Sequence, residues 1–145
     1  MFRFTIQAAQ HSDVNAVCKI ASTVLNSELP PDKLKQLYFE IIENVEQIIL
    51  LAVNSAHTVG FIHARRVNDL VCGSYTGIVS IAFLPYYQRH GGGTELLYGV
   101  EEWSRQMLTP KLKCVLKSDN EAVRQLLKSG GYTESSPQNY EKTIV

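Results

Sequence analysis

The sequence predicts an α/β fold, of the α+β kind, with a central mixed, mostly antiparallel sheet that has helices on both faces. Strand-like apolar runs and helical periodicities follow the order strand, two helices, three strands, helix, strand, helix, strand. Two neighbouring strands share a connection that suits a hairpin, and the next strand leads through a glycine turn into a helix. The 145 residues show no linker, repeat or low-complexity tract, so we predict one domain over 1–145.

The first third of the chain predicts a strand and two helices. Residues 4–8 form a short strand-like run, and Ser12 is a favoured N-cap for the helix that follows over 14–25. Two prolines at 30–31 interrupt the chain, after which apolar residues recur with helical spacing over 34–44. This spacing places the apolar residues of each helix on one face, which is expected to pack against the sheet.

The rest of the chain predicts five strands and two helices. Residues 54–57 suit a hairpin, Pro85 ends a strand because it lacks a backbone N–H, and Gly130 and Gly131 cap the last helix. The strands are expected over 48–53, 59–67, 75–84, 113–116 and 140–145, and the helices over 94–107 and 120–128.

Charge and cysteine usage narrow the class of protein. Fourteen basic residues balance fourteen acidic ones, so no net field favours nucleic acid. Cys18, Cys72 and Cys114 are widely spaced and odd in number, which argues against a disulfide framework and a zinc site. No window approaches the ~18 apolar residues of a membrane helix, and the start does not resemble a signal peptide. We therefore expect a cytoplasmic protein that binds no metal, nucleic acid or membrane.

A glycine-rich turn joins a predicted strand to a predicted helix, and it contains Gln88, Arg89, His90, Gly91, Gly92, Gly93 and Thr94. The first amides of a helix have no intrahelical acceptor and lie at the positive end of its dipole, which favours phosphate. Glycine allows left-handed backbone angles, and we expect a Cβ at Gly91 or Gly93 to obstruct an approaching anion. Arg89 and His90 add positive charge. From the glycines alone, a purely structural turn remains open.

Two other nucleotide-binding motifs fit this turn poorly. The Walker A pattern needs Lys and then Ser or Thr after its last glycine, whereas Thr94 and Glu95 follow Gly93. The dinucleotide pattern GxGxxG needs a glycine where Leu96 stands, and it normally follows the first strand of a βαβ unit. An NTPase or a dinucleotide-binding enzyme is therefore not expected.

The stretch from 81 to 93 resembles the acetyl-CoA signature of the GNAT superfamily of N-acetyltransferases, in which a strand and a proline precede Q/R-x-x-G-x-G/A. Gln88, Gly91 and Gly93 occupy its three fixed positions. The resemblance implies the GNAT fold over the whole chain, because the order and spacing of the elements agree with that family.

A second stretch is similar to the same family. Asn120, a helix and then Gly131-Tyr132 resemble its Asn-led helix that ends in Gly-Phe or Gly-Tyr. Residues 60–64 and 101–103 resemble the small bacterial aminoglycoside 6'-acetyltransferase-like branch. The agreement of two separate motifs with one family strengthens the resemblance.

The resemblance implies that acetyl-CoA binds as cosubstrate and that its acetyl group passes to a primary amine by direct attack. Main-chain groups of Ile81, Ala82 and Phe83 would bond the pantetheine arm, which lies between two parallel strands that splay apart. An N–H near Phe83 would face the thioester oxygen. Asn120 would bond the pantetheine amides, and the turn over 88–94 would bind the pyrophosphate.

Two departures from the family concern catalysis. Leu127 stands where many members carry a Tyr that protonates the leaving thiolate, and residues 77–80 lack a glutamate that several members place there. We predict His63 as the general base, since the unperturbed pKa of histidine is about 6.5. A structural role for His63 is the alternative. For the whole chain, the second hypothesis is a non-catalytic acyl-CoA-binding or sensing module.

The acceptor and the oligomeric state are less defined. Residues 26–35, which are expected to line the acceptor pocket, leave aminoglycoside, polyamine, amino acid and peptide amine open. The family resemblance and the edge of the strand over 140–145 predict a homodimer. Four glutamates are candidates for binding a cationic amine, or else ordinary solvated residues: Glu40, Glu43, Glu101 and Glu102.

Overall fold

The computed structural model describes residues 2–115, 121–134 and 142–143. These residues form five strands: β1 (Thr5–Ala8), β2 (Gln47–Asn54), β3 (His57–Val67), β4 (Tyr75–Phe83) and β5 (Leu112–Cys114). They also form four α-helices: α1 (Val14–Thr23), α2 (Pro31–Ile42), α3 (Gly92–Gln106) and α4 (Glu121–Ser129). Single 3-10 turns at His11–Asp13 and Pro85–Tyr87 precede α1 and α3. None of the described helices is long and apolar enough to cross a membrane.

The strands form one sheet in the order β1-β2-β3-β4-β5. The first three neighbouring pairs are antiparallel and β4 pairs with β5 in parallel, so the predicted mixed, mostly antiparallel sheet is confirmed. The predicted hairpin joins β2 to β3 through Ser55 and Ala56, which have φ angles of 48° and 66°. Left-handed angles at both central residues match the twist of a tight hairpin.

The helices cover both faces of the sheet, as predicted. Successive side chains of a strand point to opposite faces, so neighbouring residues such as Leu50 and Leu51 belong to different cores. Helices α1 and α2 cover one face, whose buried residues include Val17, Ile20, Tyr38, Ile49, Leu51, Phe61 and Ala82. Helices α3 and α4 cover the other, whose buried residues include Leu50, Ile62, Ile78, Ile81, Leu96, Leu97 and Val100.

One predicted helix start is wrong. Ser12 does not cap α1, because it lies inside the 3-10 turn that precedes this helix. The carboxylate of Asp13 instead accepts a hydrogen bond of 2.8 Å from the backbone N–H of Gln10. The predicted closing strand over 140–145 lies almost wholly outside the described residues, and Lys142 and Thr143 are not in a strand.

The aromatic ring of Phe83 holds the end of β4 against β3 and the start of α3. A Cβ at Gly60 would lie 2.6 Å from the Phe83 ring and 2.8 Å from the carbonyl oxygen of Ala82, and a Cβ at Gly92 would lie 2.6 Å from that ring. The ring of Phe4 packs edge-on at 5.8 Å. Glycine is therefore required at both positions because the ring fills the space of a Cβ.

Gly60→Ala should lower the free energy of unfolding by about 1–3 kcal/mol, because an added methyl would overpack a filled core. Gly77→Ala is the matched control, since its Cβ would meet nothing closer than 3.5 Å. Urea unfolding of both variants measures the difference. Equal losses of unfolding free energy in the two variants would contradict the proposed packing of the Phe83 ring against Gly60.

Candidate active site

The turn between β4 and α3 has an unusual backbone. Gly91, the N-cap of α3, has a left-handed φ of 88°. Two residues earlier, Arg89 has a φ of 64°, in a region that residues with a Cβ rarely adopt. Residues held in such conformations cluster at binding and catalytic sites. The turn is therefore a candidate site on backbone grounds as well as by its sequence.

The start of α3 has main-chain amides without an intrahelical acceptor. The N–H of Glu95 donates to the carbonyl of Gly91 at 3.3 Å and closes the first helical turn. The amides of Gly92, Gly93 and Thr94 come before that bond, where a helix supplies no acceptor. Arg89 and His90 lie exposed beside them. The amides, the helix dipole and the adjacent Arg89 are features that favour phosphate binding.

The three glycines of the turn have different roles. Gly91 supplies the left-handed angle, and no described atom lies within 4 Å of the place of its Cβ. A Cβ at Gly93 would instead lie 2.7 Å from Leu126 of α4. A Cβ at Gly93 would therefore meet the packing between α3 and α4, and the expectation that it would obstruct an anion stays a prediction.

The Gln88 side chain ties the turn to the strand before it. Its Nε2 donates a hydrogen bond of 3.0 Å to the carbonyl oxygen of Phe83. This amide was predicted to contact the cofactor, but its described contact is with the end of β4. This contact was not predicted, because the Q/R-x-x-G-x-G/A signature identifies Gln88 but does not indicate which group accepts its hydrogen bond.

The N-terminal segment packs on the turn through Phe2. The centroid of this ring lies 4.8 Å from that of Tyr87, 5.3 Å from that of Tyr86 and 4.7 Å from that of His90. His90 is therefore braced on one side by an aromatic ring while it stays exposed. No pattern in the sequence indicates this contact, because Phe2 precedes the first predicted strand.

Strand β4 continues past its parallel partner. The two strands pair only from Thr76 opposite Leu112 to Ile78 opposite Cys114. Residues Ile81, Ala82 and Phe83 lie beyond that pairing, and they bond β3 on their other side. The described residues thus leave one edge of β4 open beside the glycine turn. Asn120, predicted to face this gap, lies outside the described residues.

A bulge in β4 lies beside the open edge. His63 of β3 is opposite Ser80, whereas the next residue, Ala64, is opposite Ile78, so Val79 is an extra residue in β4. Such a bulge breaks the regular alternation of the strand and changes the direction of its main-chain groups. Val79 lies two residues before Ile81, the first of the residues predicted to bond pantetheine.

Four half-buried or exposed residues form a polar strip beside the bulge: Gln47, His63, Arg65 and Ser80. They lie on the sheet face of α1 and α2, since they alternate along their strands with residues of the other face. His63 Nε2 and Gln47 Oε1 are 2.7 Å apart. The adjoining part of this face is buried beneath α1 and α2. The predicted base therefore lies where the helices leave the sheet accessible.

Helix α4 offers no proton donor at the predicted position. Leu127 is half-buried and packs against the core between the sheet and α3. Its carbonyl accepts a hydrogen bond of 2.9 Å from the N–H of Tyr132, and Gly131, with a φ of 87°, ends the helix as predicted. The Tyr132 hydroxyl donates to Glu101 at 3.0 Å. Burial, with this hydrogen bond, raises the pKa of that phenol.

The four glutamates considered for a cationic acceptor have other partners. Glu40 accepts from Gln36 at 3.3 Å, and Glu43 lies 3.5 Å from His11. Glu101 accepts from Tyr132 as described, and Glu102 lies 3.2 Å from Arg105. None of these contacts involves the polar strip. The described structure therefore does not bring these carboxylates to the predicted base.

A helix start with free amides, beside a strand edge that the described residues leave open, fits the acetyl-CoA site that the sequence predicts. The chain matches the Acetyltransferase (GNAT) family model over residues 15–132, and it belongs to that family. It is an N-acetyltransferase that uses acetyl-CoA, and the predicted family is confirmed.

Solved structures share the fold at low sequence identity. The aminoglycoside N-acetyltransferase AAC(6')-Iy, in complex with CoA, has a TM-score of 0.89 at 15% identity, with 100% of this chain and 97% of that chain covered. The aminoglycoside 6'-N-acetyltransferase AAC(6')-Ih from Acinetobacter baumannii has a TM-score of 0.84 at 20% identity, with 99% of each chain covered. A transcriptional regulator from Bacillus halodurans has a TM-score of 0.86 at 14% identity, with coverages of 97% and 100%. These similarities confirm the fold.

No curated protein is similar enough in sequence to count as a match. The assignment of the chain to its family therefore depends on the match to the family model. The fold is supported by that match and by the solved structures together. The residues of the site are argued from the geometry of this chain.

Proposed function

We propose that the protein acetylates a primary amine of a small molecule, and that the amine attacks the thioester of acetyl-CoA directly. The observation that carries this proposal is the turn at Arg89 and Gly91, whose left-handed angles present helix-start amides beside the open edge of β4. A phosphate-binding turn next to an open strand edge accommodates both ends of a long cosubstrate. A turn with only a structural role would need neither amides available to phosphate nor an open strand edge beside it.

The two ends of acetyl-CoA have separate sites in this proposal. The pyrophosphate accepts hydrogen bonds from the amides of the turn over 88–94, and Arg89 adds positive charge, with His90 beside it. The pantetheine arm runs along the main chain of Ile81, Ala82 and Phe83, and Asn120 bonds its amides. An N–H near Phe83 donates to the thioester oxygen, a contact that typically contributes ~2.7–4 kcal/mol of transition-state stabilisation.

His63 accepts the proton that the amine must lose. Acetyl-CoA supplies an acetyl thioester, whose carbonyl carbon gains the bond to nitrogen while the bond to sulfur breaks. His63 lies opposite Ser80, one residue from Ile81, on the accessible part of the sheet. The hydrogen bond to Gln47 orients its ring, because an amide oxygen accepts from one ring nitrogen and so favours one tautomer. In this proposal the imidazole acts as the base beside the thioester.

The thiolate of coenzyme A leaves without a tyrosine to protonate it. A thiol of this type has a pKa of about 8.5, so its anion is a tolerable leaving group at neutral pH. Loss of acid catalysis costs up to roughly 10²- to 10⁴-fold in rate. The hydrocarbon side chain of Leu127 also supports the second hypothesis, a non-catalytic acyl-CoA-binding module with the same fold.

The acceptor, location and assembly complete the proposal. The fold is shared with aminoglycoside acetyltransferases, which supports a small-molecule amine as acceptor. A cytoplasmic location is supported by the free thiols of Cys18, Cys72 and Cys114. A homodimer is expected from the family, and light scattering tests it.

Gly91→Val should abolish acetyl-CoA binding, with a loss of at least roughly 100-fold, or about 2.7 kcal/mol. A β-branched residue disfavours the left-handed angle on which the turn depends. Gly73→Val is the matched control, because Gly73 has a φ of 85° and similarly open surroundings, but lies in the β3–β4 connection. Isothermal calorimetry measures affinity, and urea unfolding measures stability.

Both glycine variants should lose a similar free energy of unfolding, about 1–2 kcal/mol, because each strains one residue. Only Gly91→Val should lose affinity in the folded fraction. Unchanged acetyl-CoA affinity in that variant would refute the cofactor site. A parallel loss in Gly73→Val would show that the effect is one of stability alone.

His63→Ala should lower kcat by roughly 10²- to 10⁴-fold, because a general base contributes about that factor. Acetyl-CoA affinity should stay unchanged, since the pyrophosphate turn is separate. The control is His57→Ala, an exposed histidine at the start of the same strand. Steady-state release of coenzyme A with a panel of amines gives the rates. Wild-type kcat in His63→Ala would assign this residue a structural role.

Leu127→Tyr should raise kcat by up to roughly 10²-fold, because the phenol restores the acid that many relatives carry. Leu127→Phe is the control, since it adds nearly the same ring without the hydroxyl. Acetyl-CoA affinity should be nearly the same in both variants. Equal rates for the Tyr and Phe variants would contradict a leaving-group role at this position, and no turnover in any variant would favour the binding-module hypothesis.

A further inference from the structure

Arg65 is the charged member of the polar strip. It lies two residues after His63 on β3 and opposite Gln47 of β2, so its side chain is on the same sheet face as the proposed base. Same-face positions of a strand are about 6.6 Å apart. The Arg65 guanidinium, on a long and exposed side chain, can therefore reach a ligand group held next to His63.

Within residues 2–115, 121–134 and 142–143, the guanidinium of Arg65 makes no hydrogen bond or ion pair. The adjacent arginine behaves differently. Arg66 points to the opposite face, where its guanidinium lies 3.9 Å from the carboxylate of Glu46. Among the described residues, Arg66 is thus paired with a carboxylate, whereas Arg65, beside the proposed base, is available to bind a ligand.

The charge of the described polar strip favours an anion. The polar strip contains one cation and no carboxylate. The four glutamates that sequence reasoning offered for a cationic acceptor are engaged elsewhere on α2 and α3. A polycationic amine would meet Arg65 without a compensating carboxylate among the described residues, and like charges at short range disfavour binding.

We propose that Arg65 binds a carboxylate of the acceptor, so that the preferred acceptor is an amine of amino-acid type. This inference rests on the proposed function and names the substrate class of the same site. The planar guanidinium of arginine matches a carboxylate with two parallel hydrogen bonds, which fixes orientation as well as charge. Bound in this way, the acceptor directs its amine along β3 toward His63 and the thioester.

Matched pairs of amines test the proposal, each an L-amino acid and the amine left on loss of its carboxylate. The pairs are L-lysine and 1,5-diaminopentane, L-phenylalanine and 2-phenylethylamine, and L-histidine and histamine. We expect kcat/KM to favour the amino acid of the best pair by roughly tenfold or more, the usual range of a hydrogen bond to a charged group. Release of coenzyme A gives the rates.

Arg65→Gln should remove this preference by raising KM for the amino acid, while KM for acetyl-CoA stays unchanged. Arg65→Lys should keep part of it, because the charge remains without the paired donors. Arg66→Gln is the matched control: it removes an equal charge on the opposite face and should keep the wild-type preference. This comparison separates a contact with the acceptor from a general change in charge.

A wild-type preference for the decarboxylated amines or for kanamycin would overturn the proposal. So would an amino-acid preference that survives in Arg65→Gln. If acetyl-CoA binds but no amine is acetylated, the proposed catalysis is wrong, whereas the carboxylate site is still open to test. Calorimetric titration of the same amino acids into the CoA-loaded protein then tests that site by binding alone. Binding that is lost in Arg65→Gln then supports the carboxylate site, and absence of binding in the wild type refutes it.

Discussion

The position of the site depends on the packing of the Phe83 ring between two glycines. The ring occupies the space of the absent Cβ atoms at Gly60 and Gly92, and this fixes the end of β4 against β3 and the start of α3. Gln88 then bonds the carbonyl of the same residue. One residue thus sets the distance between the open strand edge and the helix-start amides. The two ends of a bound acetyl-CoA need that distance to be constant.

Most of the fold could be predicted from the sequence because its signals are local. Windows of about a dozen residues are enough to recognise the apolar spacing of α1, α2 and α3. The same is true of the polar hairpin at Ser55 and Ala56. The start of α1 was wrong because a 3-10 turn and a helix share the same preferred residues. Asn120 and the strand over 140–145 stay predictions.

The details of the site were less predictable because they depend on residues far apart in the sequence. Phe2 packs on His90, and Gln47 of β2 forms a hydrogen bond with His63 of β3. The spacing of residues along the sequence indicates neither contact. The bulge at Val79 appears only when the register of β3 and β4 is known. The motif predicts the anion site, but only the folded chain shows that Arg65 and His63 share a face.

The left-handed backbone at Arg89 has a consequence for the lifetime of the protein. The arginine of this turn keeps an unfavourable backbone angle. A ligand that binds the folded chain alone stabilises it by about 2.7 kcal/mol at a hundred times its dissociation constant. Resistance to unfolding and proteolysis would therefore rise and fall with the supply of acetyl-CoA, and cellular abundance of the protein would follow the metabolic state of the cell.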